Sequence, residues 1–222
     1  MTEKKKKGIF GRLQRAPKEK WKKEEFSELE YEPTTVKELL TEMKDISELI
    51  IDLAYSAVLF DNEDISEEVK YLEVRMDKLN YDIRMMAMMA ARTKEDAEQL
   101  AGILQVAEAA ETISNAAGDI VKLLSREKTG PILPKILKQA DEQLFRINVK
   151  KESKACNKKI GDLKVESETG MRIIAIRRGD CWIYNPQSDT SLQENDWLIT
   201  RGIKEGYVEL NKFLHGELEV LD

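Results

Sequence analysis

Two consecutive arginines, Arg177 and Arg178, close the branched run Ile173-Ile174-Ala175-Ile176. A guanidinium fork matches phosphate or carboxylate oxygens two at a time. On a strand, neighbouring side chains face opposite sides of the sheet, so only one of the pair can line a given surface. A second set of chemically able groups is acidic. Glu73 and Asp77 stand four residues apart, and Glu108, Glu111, Asn115 and Asp119 follow one another along a later stretch. Carboxylate and amide oxygens projecting from facing helices can hold a divalent or ferric ion. The alternative is a solvated or salt-bridged helix face. Covalent or acid–base catalysis has little to work with. The single histidine, His215, lies outside any motif, and no Walker A sequence or GxGxxG is present. A non-enzymatic protein is expected.

The elements that would carry these groups fall into two kinds. Thr35 with Glu38 forms a capping box ahead of Val36, Leu39, Leu40, Met43, Ile46, Ile50, Leu53, Ala54 and Ala57, which share one helical face. That helix should stop near Phe60-Asp61-Asn62. A second starts at Asp64 or Ser66, with Val69, Leu72, Met76, Leu79 and Ile83 as its stripe. A third starts at Thr93 and Asp96, and runs to about Ser125 through Ala97, Leu100, Leu104, Ala107, Ala110, Ile113, Ala117, Ile120 and Leu124. Short connections between long helices force an antiparallel three-helix bundle. Met76, Met85, Met86, Met88 and Met89 cannot all face one core, which predicts a second apolar surface at that end of the bundle.

After Gly130-Pro131 the pattern changes. A short helix from Pro134 to about Glu142 leads to strands at Leu144–Val149, Met171–Arg177, Cys181–Tyr184 and Asp196–Thr200. Ser153 is placed to cap a short helix, and Asn157 tolerates a left-handed turn. Glu205–Phe213 suits a last helix and Glu217–Leu221 an edge strand. The fold class is α+β. The expected divisions are a basic flexible tail at 1–30, a helical bundle at 31–128, a linker with a short helix at 129–143 and a small α/β domain at 144–222.

The net charge is −6, but residues 1–23 carry ten Lys/Arg against two Glu. The tail can therefore meet an anionic membrane surface, with Phe10, Leu13 and Trp21 beside its lysines. The acidic remainder argues against nucleic acid as a partner. The longest apolar run, Met85–Ala91, is seven residues, too short to span a bilayer. Cys156 and Cys181 have no CxxC spacing and are expected as free thiols. A cytoplasmic protein, peripheral to the membrane through its tail, is the expectation.

The order of strand, Gly179-Asp180 turn, short strand ending in Asn185-Pro186, loop and strand ending in Arg201-Gly202 resembles the TrkA-C (RCK C-terminal) domain. The likeness reaches upstream through Ser153, Asn157 and Ile160-Gly161-Asp162-Leu163, and covers Leu144 to Leu214. Glu111-Thr-Ile113-Ser-Asn115-Ala-Ala-Gly-Asp119-Ile120, with Glu73 and Asp77, is similar to the acidic signature of PhoU proteins. Asn115 stands where that signature has a second Asp, and one bundle stands where PhoU proteins have two.

These resemblances imply a potassium-transport-related regulatory protein that pairs into a homodimer. Its partner would be a membrane cation transporter or channel. In TrkA-C domains a ligand, in some cases cyclic di-AMP, sits between paired modules. That implies a ligand-binding set of Ile174, Ile176, Arg177, Arg178, Asn185 and Pro186 for cyclic di-AMP or another phosphate ligand, with Arg177 nearer than Arg178. The PhoU likeness implies a metal set of Glu73, Asp77, Glu111 and Asn115. It also supports the alternative function, a metal-binding adaptor in phosphate signalling. RCK proteins place a nucleotide-binding Rossmann half before this module, and helices stand there instead.

Overall fold

The computed structural model describes residues 35–122 and 139–221, in two compact units. The basic segment 1–30, the expected run of the third helix beyond Lys122 and the expected short helix from Pro134 as far as residue 138 lie outside the described residues; its expected end, 139–142, is turn and bend rather than helix.

In the first unit, α1 (Val36–Phe60) opens on the expected capping box. Thr35 Oγ1 accepts from the Glu38 amide at 3.2 Å, and Glu38 Oε2 accepts from the Thr35 amide at 2.9 Å. Such a cap contributes about 1 kcal/mol. The helix ends where Asp61 turns left-handed, at φ 46°. Asn62 Oδ1 then accepts from the Ile65 amide and starts α2 (Glu63–Ala90). The reciprocal Thr93–Asp96 pair, 3.1 Å in both directions, starts α3 (Lys94–Lys122). With connections this short, consecutive helices run antiparallel, and each packs against the other two.

The α1 and α2 stripes are buried as the periodicity predicts, with Ile46, Ile50 and Leu53 meeting no solvent, nor Val69, Leu72 and Ile83. Burial of each such side chain contributes about 1.5–3 kcal/mol. The buried face of α3 differs from its apolar pattern. Ile113 is 39% exposed, while Ser114 and Gly118 are buried beside Ala107, Ala110 and Ala117. Small residues let α3 approach its neighbours closely, and the large Ile is left on the rim. Glu42, buried on α1, is neutralised by Arg75 of α2 at 2.7–2.8 Å. Met76 is core, whereas Met85, Met88 and Met89 are exposed, as their crowding requires. Among the described residues no helix is long and apolar enough to cross a membrane.

The second unit is a four-stranded antiparallel sheet in the order β1-β4-β2-β3, with β1 at Gln143–Asn148, β2 at Arg172–Arg178, β3 at Cys181–Tyr184 and β4 at Trp197–Gly202. Two short helices, α4 (Ile160–Leu163) and α5 (Val165–Thr169), precede β2, and α6 (Lys204–Leu214) follows β4. One sheet face carries Ile147, Ile173, Ile176 and Leu198 into a core shared with Val165, Leu210 and Phe213. Phe145 stacks on Tyr207 of α6 with ring centres 4.2 Å apart.

Three local expectations meet the structure here. Asn157 does turn left-handed, at φ 63°. Ser153 caps a turn rather than a helix: its hydroxyl accepts from the Ala155 amide and donates to the Phe213 carbonyl. Glu217–Leu221 is not an edge strand. Gly216, at φ 80°, redirects the chain after α6, and Leu221 packs into the core instead.

Gly206 in the first turn of α6 lies against the Thr169 backbone. An added Cβ would overlap the Thr169 carbonyl and sit 3.2 Å from Met171 Cγ. Gly206→Ala should therefore lower stability by about 1–3 kcal/mol, the usual cost of overpacking, despite the better helix propensity of Ala. Urea denaturation of the full chain measures this, and an unchanged or raised midpoint would contradict the packing described.

Candidate functional site

The four strands contain five arginines and no Asp, Glu or Lys, in a chain whose net charge is −6. Cross-strand register sorts the arginines by face. One row across the sheet reads Asn148, Trp197, Arg177, Trp182. The next reads Arg146, Ile199, Ala175, Tyr184, and the third Leu144, Arg201, Arg172. Partners in register share a face, so Arg146, Arg172, Arg177 and Arg201 lie opposite the helix-covered core.

Arg178 faces the other side. Its Nε and Nη2 donate to the two carboxylate oxygens of Asp196, each at 2.8 Å, and Nη2 also donates to the Ser191 carbonyl at 2.7 Å. Asp196 is fully buried and accepts a further bond from the Gln193 amide. Hydrogen bonding to Asp196 raises the Arg178 pKa further, against the opposing pull of partial burial. This guanidinium is a structural group. Its partner is within the fold, and alternation along β2 leaves Arg177 on the arginine face.

A register shift between Ile173 and Ala175 places a bulge at Ile174. The bulge puts Ile173 and Ile176 on the core face together and breaks the parity that would pair Ile174 with Ile176. Ile176, fully buried in the core cluster, is thereby removed from the arginine face. Ile174 instead adjoins the end of β3, where its carbonyl accepts from the Asn185 amide at 2.8 Å. Asn185 is left-handed at φ 41°. Its side-chain oxygen accepts from Arg172 Nη2 at 3.4 Å. Ile174, Asn185, Pro186 and Arg172 thus gather at one end of the hairpin. Arg177 lies three residues further along β2, about 10 Å away, and donates from Nε to the Gly179 carbonyl.

Trp197 was not among the residues singled out by spacing. It stands on an interior strand yet is 40% exposed, and Arg146 sits over its ring at 4.6 Å from the centroid. A diagonal cross-strand pair of this kind becomes visible only once the register is known.

The acidic groups of the bundle lie at two levels. Glu73 fits against Gly118, where an added Cβ would fall 2.6 Å from Glu73 Oε1, and lies 4.0 Å from Lys122. Glu111 accepts from Asn80 and pairs with Arg84 at 3.8 Å. Gly118 and Glu111 are seven residues apart on α3, about 10 Å along its axis. Asp77 and Asn115 are exposed. Among the described residues, no group of three or more His, Cys, Asp or Glu is placed to hold a metal ion. Burial pushes the Glu73 carboxyl above its ordinary range. Lys122 opposes that, and Asp77 and Asp119 add to it; partial desolvation of its carboxyl also raises Asp77, although the residue as a whole is exposed.

The TrkA-C domain profile matches residues 144–215 and the PhoU domain profile matches residues 40–124. The chain therefore joins a PhoU domain to a TrkA-C domain, in an α+β arrangement of three long helices followed by a small antiparallel sheet with helices. No curated protein matches the chain. Among solved structures, it is similar to the RCK_C domain dimer of S. agalactiae BusR in complex with c-di-AMP, at 23% identity over 35% of this chain and 95% of that one, with a TM-score of 0.33. It is also similar to the GsuK RCK domain, at 20% identity over 56% of this chain and 26% of that one, with a TM-score of 0.31. BusR bound to its busA promoter DNA matches at 20% identity over 55% of this chain and 67% of that one, with a TM-score of 0.32.

Two expected outcomes follow from these contacts. Asp196→Ala strands a partly buried guanidinium and frees the Gln193 amide, and should cost about 3 kcal/mol or more in denaturant midpoint experiments. A loss below about 1 kcal/mol would show the pair to be dispensable. Glu73 has the opposite sign. Its folded pKa lies above the unfolded one, so its ionisation costs stability as pH rises from the unfolded pKa through the folded value. Glu73→Gln should flatten that decline and leave the protein at least as stable at neutral pH. A melting profile from pH 4 to about pH 8 in which Glu73→Gln loses stability only above the transition would reverse the assignment.

Proposed function

We propose that the chain is a non-enzymatic, ligand-sensing regulator of cation transport, acting as a homodimer on a separately encoded membrane transporter or channel. Potassium is the proposed ion. The observation that carries the reading is the sheet face of the TrkA-C domain on which the strands place arginines and no acidic residue of their own. Four guanidiniums share it, and Asn185, Pro186 and Ile174 lie at its edge. The chemistry that fits is a phosphate ligand, and a cyclic dinucleotide such as cyclic di-AMP is the first to test. The exposed methionines of α2 offer adaptable apolar surface for pairing. To act as a switch, the ligand must bind one state of the dimer more tightly than another.

The arginine pair separates binding from stability. Cyclic di-AMP should raise the melting temperature of the full chain, since it binds the folded form. Arg177→Ala should abolish most of that increment with little change in the unliganded protein. Arg178→Ala should lower the unliganded melting temperature through the loss of Asp196 as a partner, and keep the increment. Equal loss of the increment from both variants, or no increment with a panel of dinucleotides and nucleotides, would overturn the reading. Light scattering at micromolar concentration should give a dimer, and a monomer would remove its assembly.

A further inference from the structure

We propose that the acidic segment 24–30 of this chain, Glu-Glu-Phe-Ser-Glu-Leu-Glu, is the cover of the TrkA-C sheet face that lies opposite the helices. That face is packed. Ala175, Trp182, Tyr184 and Ile199 stand on it in register, and each is at most 2% exposed. Trp182 and Tyr184 belong to β3, an edge strand with a single neighbour. Large aromatic side chains hide about 150–250 Å² each when buried, so the cover must be substantial. The helices of the unit do not supply it. Their apolar residues, Ile160 and Leu163 of α4, Val165 of α5 and Leu210 and Phe213 of α6, join the core on the other side. The buried residues of this face are absent from that core.

Charge selects the occupant. Arg146, Arg172, Arg177 and Arg201 share the face with the buried aromatics, and each is engaged. A carboxylate is the strongest partner for a guanidinium fork, and arginine clusters recognise acidic segments in this way. Glu142, 3.5 Å from Arg201, already does so at one corner. Two stretches of chain lie outside the described residues on either side of the bundle. Residues 123–138 carry four Lys/Arg and one Glu, and residues 1–23 carry ten Lys/Arg and two Glu. Both would add like charge to the arginines. Residues 24–30 carry four Glu and no Lys or Arg, with Phe26 and Leu29 between the acids. They match the face in both of its properties, apolar side chains for the aromatics and carboxylates for the guanidiniums. Tethering makes the encounter intramolecular, so modest contacts suffice. The proposal goes beyond the ligand reading and stands without it. The two share Arg177, and a phosphate ligand would reach that guanidinium by displacing a carboxylate.

Tryptophan fluorescence of the full chain tests this. Trp21→Phe with Trp197→Phe leaves Trp182 as the sole tryptophan. In that background acrylamide should quench it weakly. Glu24→Lys, Glu25→Lys, Glu28→Lys and Glu30→Lys together should raise the quenching severalfold and shift the emission to the red, with the far-ultraviolet circular dichroism kept. The matched control, Lys4→Glu, Lys5→Glu, Lys6→Glu and Lys7→Glu, should leave Trp182 shielded. Unchanged quenching in the acid-to-lysine variant, or an equal rise in the control, would overturn the proposal. A second measurement does not depend on that variant folding. A photoreactive benzoylphenylalanine at position 26 of the otherwise unaltered chain should, on irradiation, join the peptides holding β2 and β3 within a band of single-chain mass. Attachment to the helical bundle alone, or none, would contradict the docking. Attachment to β2 and β3 solely in a band of double mass would assign the cover to a second copy, and the proposal fails.

Discussion

The TrkA-C unit depends on one buried carboxylate. Asp196 receives both prongs of Arg178 and the Gln193 amide on its side chain, while its backbone carbonyl accepts from the Val149 amide at 2.9 Å and from Asn148 Nδ2 at 3.2 Å. Five donors from the end of β2, the loop before β4 and the end of β1 converge on a single residue. Such a pair fixes geometry more than it adds net stability, because desolvation offsets much of its Coulombic gain. Its consequence reaches the opposite surface. Once Arg178 is committed to Asp196, the pleat sends Arg177 to the other face. Two identical neighbours in sequence thereby acquire unlike roles, one inside the fold and one on the arginine face.

The bulge at Ile174 works in the same way. A regular strand would place Ile174 beside Ile176 and Arg172 beside Ile174, all on one side. The inserted residue changes parity within β2, so Arg172 joins Arg177 on the arginine face while Ile173 and Ile176 both enter the core. An uninterrupted strand could not satisfy a branched core on one side and a basic surface on the other with the sequence Arg-Ile-Ile-Ala-Ile-Arg-Arg. Bulges are common where a sheet re-aims side chains for binding, and this one adjoins the Asn185 turn.

Much of the fold was legible because its signals are local. Thr35 with Glu38 and Thr93 with Asp96 mark helix starts through bonds spanning three residues, and the Gly179-Asp180 turn marks the hairpin. What escaped depends on partners distant in the chain. Ser114 is core and Ile113 is not, because α3 packs through small residues, and hydrophobicity alone ranks those two the other way. Glu217–Leu221 alternates like a strand, yet it forms none and Leu221 fills the core. The candidate residues divide similarly. The places of Arg177, Asn185 and Pro186 on the strand and its following turn were legible from the strand–turn pattern. The core position of Ile176 needed the bulge, and the Arg146–Trp197 pair needed a register linking residues about fifty positions apart.

The arginine face also has an energetic character of its own. Four arginines share that face with Trp182, Tyr184, Ala175 and Ile199, which are buried, so the sheet is packed on both sides. The arginines have partners of their own, among them Glu142 for Arg201 and the Gly179 carbonyl for Arg177. On the other side the core is built from buried Ile147, Ile173, Ile176 and Leu198 backed by α6. An anion that bound only the folded form at this face would stabilise the β2 and β4 strands in proportion to its occupancy.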